Sequence, residues 1–219
     1  MGDVIQETRE KICEFAYDLY TRHVTDTAGG NLSVRIDDVI LMTPRYGGNH
    51  YHWKLRPEQI LKMDLKGNKL DGEGDISREA KVHLALLNEF YPDATSVIHA
   101  HARNVLVFCA AEKPITPVLY ATTKFGIIPQ IPDAASGTDE LAINVREGIR
   151  SQGGVTSKVQ AAAVMAPRHG LFVLGRTLAD AFDVAERIDT NAYCLLAGKA
   201  LGEITPFLQA TKVNPKYDG

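Results

Sequence analysis

The chain has 219 residues, of which 45% are hydrophobic and 23% are charged, and its formal net charge is −3. These values are ordinary for a globular protein and exclude a disordered or fibrous chain. The weak negative charge offers no basic surface, so neither nucleic acid nor an anionic membrane is expected as a partner. No apolar run reaches the roughly 20 residues that span a bilayer, and charges interrupt the opening segment "MGDVIQETREKICEF", so we expect a cytoplasmic protein.

The N-terminal third of the chain is predicted to contain one helix and two strand pairs. Apolar residues recur at helical spacing through residues 4–23, which predicts an amphipathic helix. A glycine pair then leads into two short alternating runs split by two aspartates, which indicates a β-hairpin within 25–44. Residues 45–57 are polar, aromatic and glycine-containing, so we expect a loop, and 58–75 are predicted to form two strands about a Lys-Gly-Asn turn.

The remainder alternates between helices and strands. Ser77 precedes a periodic segment and is expected to cap the helix that follows. The predicted order is helix 80–90, strand 94–102, helix 104–112, strand 116–120, helix 137–152, a strand pair within 161–175 and helix 177–202. No repeat or linker interrupts this order, so we expect one α/β domain over 1–219 with partly antiparallel strands, in which 206–219 form a C-terminal tail.

His99 and His101 stand two residues apart in the apolar segment "SVIHAHARN". Side chains two apart on a strand project from the same face, so these imidazoles are expected to lie side by side. A single histidine on an apolar strand is usually a hydrogen-bonded core residue. Two on one face are harder to explain by packing, because every buried ring nitrogen needs a partner, and they favour a metal site.

His169 is the third candidate ligand, because it precedes a glycine in the turn of "PRHGLFVLG". Catalytic zinc commonly takes three protein ligands and keeps one position open, which three histidines would satisfy. Glu79 lies at a helix start, where a carboxylate is favoured by the helix dipole alone. His83 shares a helix face with Glu79, so it is expected to contact Glu79 rather than a metal.

Four segments, taken together and in order, resemble the class II aldolase/adducin family. They are "TAGGNLSVR", "ILMTP", "SREAKVHLALLNEFYPDATSVIHAHA" and "RHGLFVLG". The resemblance runs from the first helix to the long C-terminal helix. It implies a three-layer α/β/α fold with a central, largely antiparallel sheet, and a fourfold-symmetric homotetramer with active sites at the subunit interfaces.

The resemblance also implies roles for the candidate metal residues. His99, His101 and His169 match the zinc-binding histidines, and Glu79 matches the acidic residue that completes the metal site at rest and then serves as acid and base. The implied cofactor is Zn²⁺, although Mn²⁺, Co²⁺ or Fe²⁺ would also suit imidazole and carboxylate ligands.

For the substrate-binding residues, the chain matches the family at some positions and departs from it at others. Gly30 and Asn31 match the turn that binds the substrate phosphate, and Ser77 matches one of two phosphate-binding serines. Thr43 begins the matching Thr-Pro segment, but Arg45 follows where the family usually has a small residue, and Arg78 replaces the second serine. We interpret all of these as substrate-binding residues. The two arginines are included because arginine binds phosphate or carboxylate through paired hydrogen bonds.

The implied reaction is retro-aldol cleavage of a short ketose phosphate, through a metal-stabilised enediolate, to dihydroxyacetone phosphate and an aldehyde. Tyr120 and Tyr217 match the two tyrosines that would handle the aldehyde oxygen. The alternatives are a decarboxylase acting on a carboxylate substrate, a sugar-phosphate epimerase or a dehydratase. A further alternative is a non-catalytic interaction module of the adducin type, against which the retained histidines and Glu79 argue.

Overall fold

A computed structural model describes residues 2–202 and residue 204. Its centre is a seven-stranded sheet in the order β4-β3-β2-β1-β5-β7-β6, in which every neighbouring pair is antiparallel. The strands are β1 (Asn31–Ile36), β2 (Val39–Met42), β3 (Leu61–Asp64), β4 (Lys69–Asp71), β5 (Ser96–Ala100), β6 (Ala161–Ala166) and β7 (Gly170–Gly175).

Helices cover both faces of this sheet. They are α1 (Gly2–Thr21), α2 (Gly47–Tyr51), α3 (Ala80–Phe90), α4 (Arg103–Ala111), α5 (Asp139–Ser151) and α6 (Leu178–Gly198). One buried apolar cluster joins α1, α4 and α6 to one face, and a second joins α3 and α5 to the other. The predicted three-layer α/β/α arrangement with an antiparallel sheet is therefore confirmed.

Local chemistry accounts for several helix boundaries. The hydroxyl of Thr138 accepts the Leu141 N–H at the start of α5, and that of Thr177 accepts the Asp180 N–H at the start of α6. Helix α3 ends at Phe90, and the next residue, Tyr91, has the extended backbone that a following proline favours. These boundaries agree with the predicted helices.

Three local predictions were wrong. The segment 45–57 contains the short helix α2, which its glycines concealed, because glycine contributes no apolar periodicity. No strand forms at 116–120; Tyr120–Phe125 instead form a 3-10 turn, preceded by an isolated bridge from Ile115 to Ile128. Ser77 is not the cap of α3, because the helix begins one residue after Glu79 and the cap position makes no side-chain hydrogen bond.

The sheet register places residues of three strands in one row. Asn31 of β1 lies opposite His99 of β5, which in turn lies opposite Phe172 of β7. Residues directly opposite each other project from the same face, here the face covered by α3 and α5. Helix α3 thus brings its N-terminal residues over the row that contains His99. Within the described part of the chain, no helix is long and apolar enough to cross a membrane.

Candidate active site

Three histidines converge at the end of the sheet where β5 finishes and β6 turns into β7. The potential ligand nitrogens of His99, His101 and His169 all lie within 4.8 Å of one another. His99 is the next-to-last residue of β5, His101 follows that strand, and His169 lies in the turn between β6 and β7. The strand alternation and the turn therefore bring together the set that the sequence predicted.

The ring of His99 is held by β7. Its Nδ1–H donates a hydrogen bond to the Leu171 carbonyl oxygen at 3.1 Å, and its ring stacks on Phe172 with centroids 4.2 Å apart. With Nδ1 donating to a carbonyl, Nε2 carries the lone pair and faces the other two histidines. This arrangement fits the ring of a metal-binding histidine, whose second nitrogen normally donates to an oxygen.

The ring of His101 has an equivalent partner in Asp26. Asp26 Oδ1 lies 3.2 Å from His101 Nδ1, and the same oxygen accepts the N–H groups of Ala28 and Gly29 at 2.8 and 3.1 Å. Asp26 therefore ties the orientation of His101 to the loop that precedes β1. A carboxylate that receives Nδ1–H leaves Nε2 available to a metal.

Burial and nearby positive charges lower the pKa of two of the histidines, His99 and His169, and so favour the neutral imidazole that binds metals. Burial, followed by the charges that His169 and His101 would carry, holds the pKa of His99 well below its usual value. The pKa of His169 is lowered first by burial, although the neighbouring Glu79 carboxylate opposes that shift. The three-imidazole donor set, the Nδ1 partners of His99 and His101, and the lowered pKa values of His99 and His169 thus fit a divalent cation.

Glu79 faces the triad from the start of α3. Its Oε1 lies 3.8 Å from His169 Nε2 and accepts the Ser136 hydroxyl. Its Oε2 accepts the Asn31 side-chain N–H and the Ser77 hydroxyl, each at 3.3 Å. Neutral donors alone thus hydrogen-bond this carboxylate, and its side chain is 12% exposed, so it remains accessible from the cleft.

The turn before β1 brings backbone close to the histidines. Gly30 has a φ of +102°, and a Cβ there would lie 2.6 Å from Thr25 Oγ1 and 3.1 Å from the His99 carbonyl oxygen. Only glycine fits this position, on conformation and on space. The turn directs the Asn31 side chain into the same cleft as Glu79.

The cleft has a volume of about 260 Å³ and contains both positive and negative groups. Arg45 and Arg78 line it, and Glu79 is the sole carboxylate among its described lining residues. Over the described ranges 2–202 and 204, neither guanidinium makes an ion pair, and Arg45 instead stacks over the Tyr46 ring at 4.6 Å. Two cations without a carboxylate partner favour an anionic ligand.

The structure separates the predicted substrate residues into two groups. Gly30, Asn31, Arg45, Ser77 and Arg78 line the cleft together with Glu79 and the three histidines. The prediction that Thr43 contacts substrate does not fit, because Thr43 is fully buried and its hydroxyl accepts the Leu32 N–H at 3.1 Å. That hydroxyl supports the β1–β2 pairing.

Of the two predicted tyrosines, the structure describes Tyr120. Tyr120 is 76% exposed on the 3-10 turn and is not among the residues that line the cleft. Tyr217 lies outside the described residues.

Two residues of the site, Asp26 and Ser136, were not predicted from the sequence, and a third, His83, was assigned to the wrong partner. The segment "DTAG" weakly indicates the role of Asp26 in the loop, because an aspartate in such a turn accepts hydrogen bonds from the backbone N–H groups that follow it. No sequence pattern indicates Ser136, since it reaches Glu79 from 57 residues away. His83 was expected to contact the Glu79 side chain, but its ring bonds Ser33 and Asn31 instead.

Residues 10–196 match the family described as the Class II Aldolase and Adducin N-terminal domain. The match covers most of the chain, so the protein belongs to this family. Its aldolases depend on a metal ion, and the histidine triad supplies a place for one.

Relatives in this family carry out more than one reaction. A Haemophilus influenzae protein named L-fuculose phosphate aldolase is 29% identical over 205 residues, covering 92% of this chain and 88% of its own. Another from that organism, named 3-oxo-tetronate 4-phosphate decarboxylase, is 28% identical over 216 residues, covering 94% of each chain. A solved structure of L-fuculose 1-phosphate aldolase shares the fold, with a TM-score of 0.82, 23% identity and 97% of both chains covered.

Proposed function

We propose that this protein is a divalent-metal-dependent lyase that cleaves a short ketose phosphate to dihydroxyacetone phosphate and an aldehyde. The observation that carries the proposal is the convergence of His99, His101, His169 and Glu79 in a cleft whose two arginines make no ion pair with any described residue. The aldolase among the relatives supports the same reaction. Zinc is the proposed ion, with manganese, cobalt or iron as substitutes.

When bound, the cation would polarise the substrate carbonyl and stabilise the negative charge that develops as the neighbouring carbon–carbon bond breaks. His99 and His101 would hold the ion through Nε2, because their Nδ1–H groups donate to the Leu171 carbonyl and to Asp26, and His169 would supply the third nitrogen. Glu79 then moves a proton at the carbon beside the carbonyl. Asn31 and Ser77, which already donate toward Glu79, also lie within reach of the substrate anion.

The metal proposal is tested by replacing one ligand. His99→Ala should abolish both zinc content and lyase activity, because two imidazoles remain where three are needed. His23→Asn is the matched control, since His23 is exposed and asparagine tolerates its φ of 62°. Metal content is measured by elemental analysis and activity by release of dihydroxyacetone phosphate from a set of ketose phosphates. Full activity in demonstrably metal-free protein would contradict the proposal.

The proposed assembly is a homotetramer in which Tyr120 acts on the aldehyde oxygen in the site of a neighbouring subunit. Its high exposure and its absence from the lining of the described cleft support this role. Glu79→Gln and Tyr120→Phe should each be inactive alone. Co-assembled from an equal mixture, they should recover about a quarter of the sites, because some interfaces then join an intact Glu79 to an intact Tyr120. A mixture as inactive as its components would contradict a role across subunits.

A second candidate is decarboxylation of a carboxylate-bearing sugar phosphate. The specific observation is that Arg45 and Arg78 both line the cleft without ion-pair partners among the described residues, which suits a substrate with a second anionic group. The decarboxylase among the relatives supports it. Carbon dioxide and dihydroxyacetone phosphate should be followed in parallel, with ketose phosphates and phosphorylated keto acids as substrates. Arg78→Gln should raise KM for the acid far more than Arg187→Gln, whose guanidinium pairs with Asp183 on α6.

A further inference from the structure

A row of three buried polar side chains lies beneath the turn that begins β1. Ser33 and His83 are fully buried, and Asn31 is 3% exposed. Ser33 Oγ lies 2.6 Å from His83 Nδ1, and His83 Nε2 contacts Asn31 Oδ1. Asn31 and Ser33 share one face of β1, and His83 reaches both from α3. Both ring nitrogens of His83 therefore have side-chain partners, and one of these partners, Asn31, lines the cleft.

The direction of each hydrogen bond follows from Glu79. A carboxylate only accepts, so Asn31 must present its NH₂ group to Glu79 Oε2 at 3.3 Å. The Asn31 carbonyl oxygen then faces His83, whose Nε2 must donate. His83 Nδ1 is left as an acceptor, so the Ser33 hydroxyl donates to it. The row has one consistent arrangement, from Ser33 through His83 to Asn31 and Glu79.

We infer that His83 is a positioning residue, which holds Asn31 with its amide NH₂ group directed toward Glu79 Oε2 and Ser77 Oγ, on the side of the cleft where the substrate anion would bind. The inference rests on the proposed function, in which Asn31 binds that anion and Glu79 moves a proton. Without the Nε2–H group, the Asn31 amide is free to turn over and present its oxygen to the carboxylate. That orientation would remove a donor from the anion site and place two acceptors together.

Packing alone does not account for an imidazole at this position. A leucine would occupy similar space without two polar atoms that burial leaves in need of partners. Burial also lowers the pKa of the His83 imidazole to about 3, so the ring remains neutral and keeps a single tautomer. The ring therefore contributes two directed hydrogen bonds rather than charge.

The first test reads the tautomer directly. In protein labelled with ¹⁵N-histidine, the His83 ring should show a protonated Nε2 and an unprotonated Nδ1 from pH 5.5 to 8, with the signal assigned by its loss in His83→Gln. A ring protonated at Nδ1 alone, or one that becomes doubly protonated in this range, overturns the inference. This measurement does not depend on activity, so it stands even if the protein proves not to be a lyase.

The second test compares His83→Gln, which can still donate to Asn31 and accept from Ser33, with His83→Leu, which can do neither. His83→Leu should raise KM for the ketose phosphate, and the dissociation constant of inorganic phosphate, about tenfold, with zinc content unchanged. His83→Gln should restore most of the loss, and Ser33→Ala should show a smaller change in the same direction.

Unchanged phosphate affinity in His83→Leu or in Ser33→Ala would contradict the inference. The inference would also be contradicted if His83→Gln folds but binds phosphate no better than His83→Leu. If His83→Leu does not fold, Asn31→Ala takes its place in this comparison. Phosphate binding in the wild type is measured by calorimetry, so a lack of lyase activity would refute the proposed function without deciding this one.

Discussion

Replacing Asp26 by asparagine should weaken metal binding without removing any ligand. The carboxylate oxygen lies 3.2 Å from His101 Nδ1 and also accepts two loop N–H groups. Asparagine keeps an oxygen acceptor for the loop, so the substitution chiefly removes the negative charge beside the imidazole. A carboxylate partner of a ligating histidine commonly contributes about 10- to 100-fold to metal affinity.

The exposure of Asp26 decides where in this range the effect should fall. Its side chain is 46% exposed, so water screens the charge, and we expect the lower end. A tenfold loss corresponds to about 1.4 kcal/mol of binding free energy. Zinc affinity is measured at pH 7.5 by competition with a chromogenic chelator, and the circular dichroism spectrum confirms the fold.

Asp64→Asn provides the matched control for this substitution. Asp64 accepts the N–H groups of Lys66 and Asn68 in a similar turn, but lies at the end of β3 and contacts none of the histidines. Its zinc affinity should equal that of the wild type. The reasoning is refuted if Asp26→Asn retains wild-type affinity, or if both variants lose affinity equally.

Three further predictions concern packing and pH. Gly29→Ala should lower zinc affinity in the chelator assay while leaving the fold intact, because a Cβ there would overlap the His101 ring; undiminished affinity would contradict this. Gly148→Ala should lower the free energy of unfolding in urea by about 1–3 kcal/mol, since its Cβ would lie 2.7 Å from Ile131 Cγ2; a stabilised variant would refute it. The pKa of His83 is about 3 in the folded chain, below the 6.5 of a free imidazole, so the unfolded chain binds this proton first as pH falls. Stability is therefore lost below about pH 6.5, and metal-free wild type should lose about 1.4 kcal/mol more than His83→Gln between pH 7.5 and 5.5; equal losses would show that His83 does not titrate in this way.

The histidine cluster was predictable because it depends on short-range geometry. Strand alternation alone places His99 and His101 together, and a turn between two apolar runs exposes His169. The resemblance of the flanking segments then assigned Glu79, which a helix-dipole argument would have left as a stabilising residue. Each of these predictions relies on residues only a few positions apart.

The supporting contacts were not predictable, because they depend on how distant segments pack. Ser136 meets Glu79 only through the loop before α5, and Asp26 meets His101 only because the loop before β1 folds back over β5. Thr43, by contrast, was predicted to bind substrate because it lies in a segment that matches the family. Its hydroxyl instead accepts a backbone N–H of the neighbouring strand, a contact that no sequence pattern reveals.

The origin of the site residues has a consequence for how specificity can change. All three histidines come from β5 and the adjoining β6–β7 turn, whereas Arg45, Arg78 and Ser136 come from three separate connecting segments outside the strands. The connections that carry Arg45 and Ser136 can be exchanged without altering the hydrogen-bonded ladder of β5, β6 and β7, whereas the connection that carries Arg78 also carries Glu79 and must keep that residue. New substrates could therefore be accommodated by grafting connections from relatives one at a time, with zinc retention as the check that each graft has spared the reaction centre.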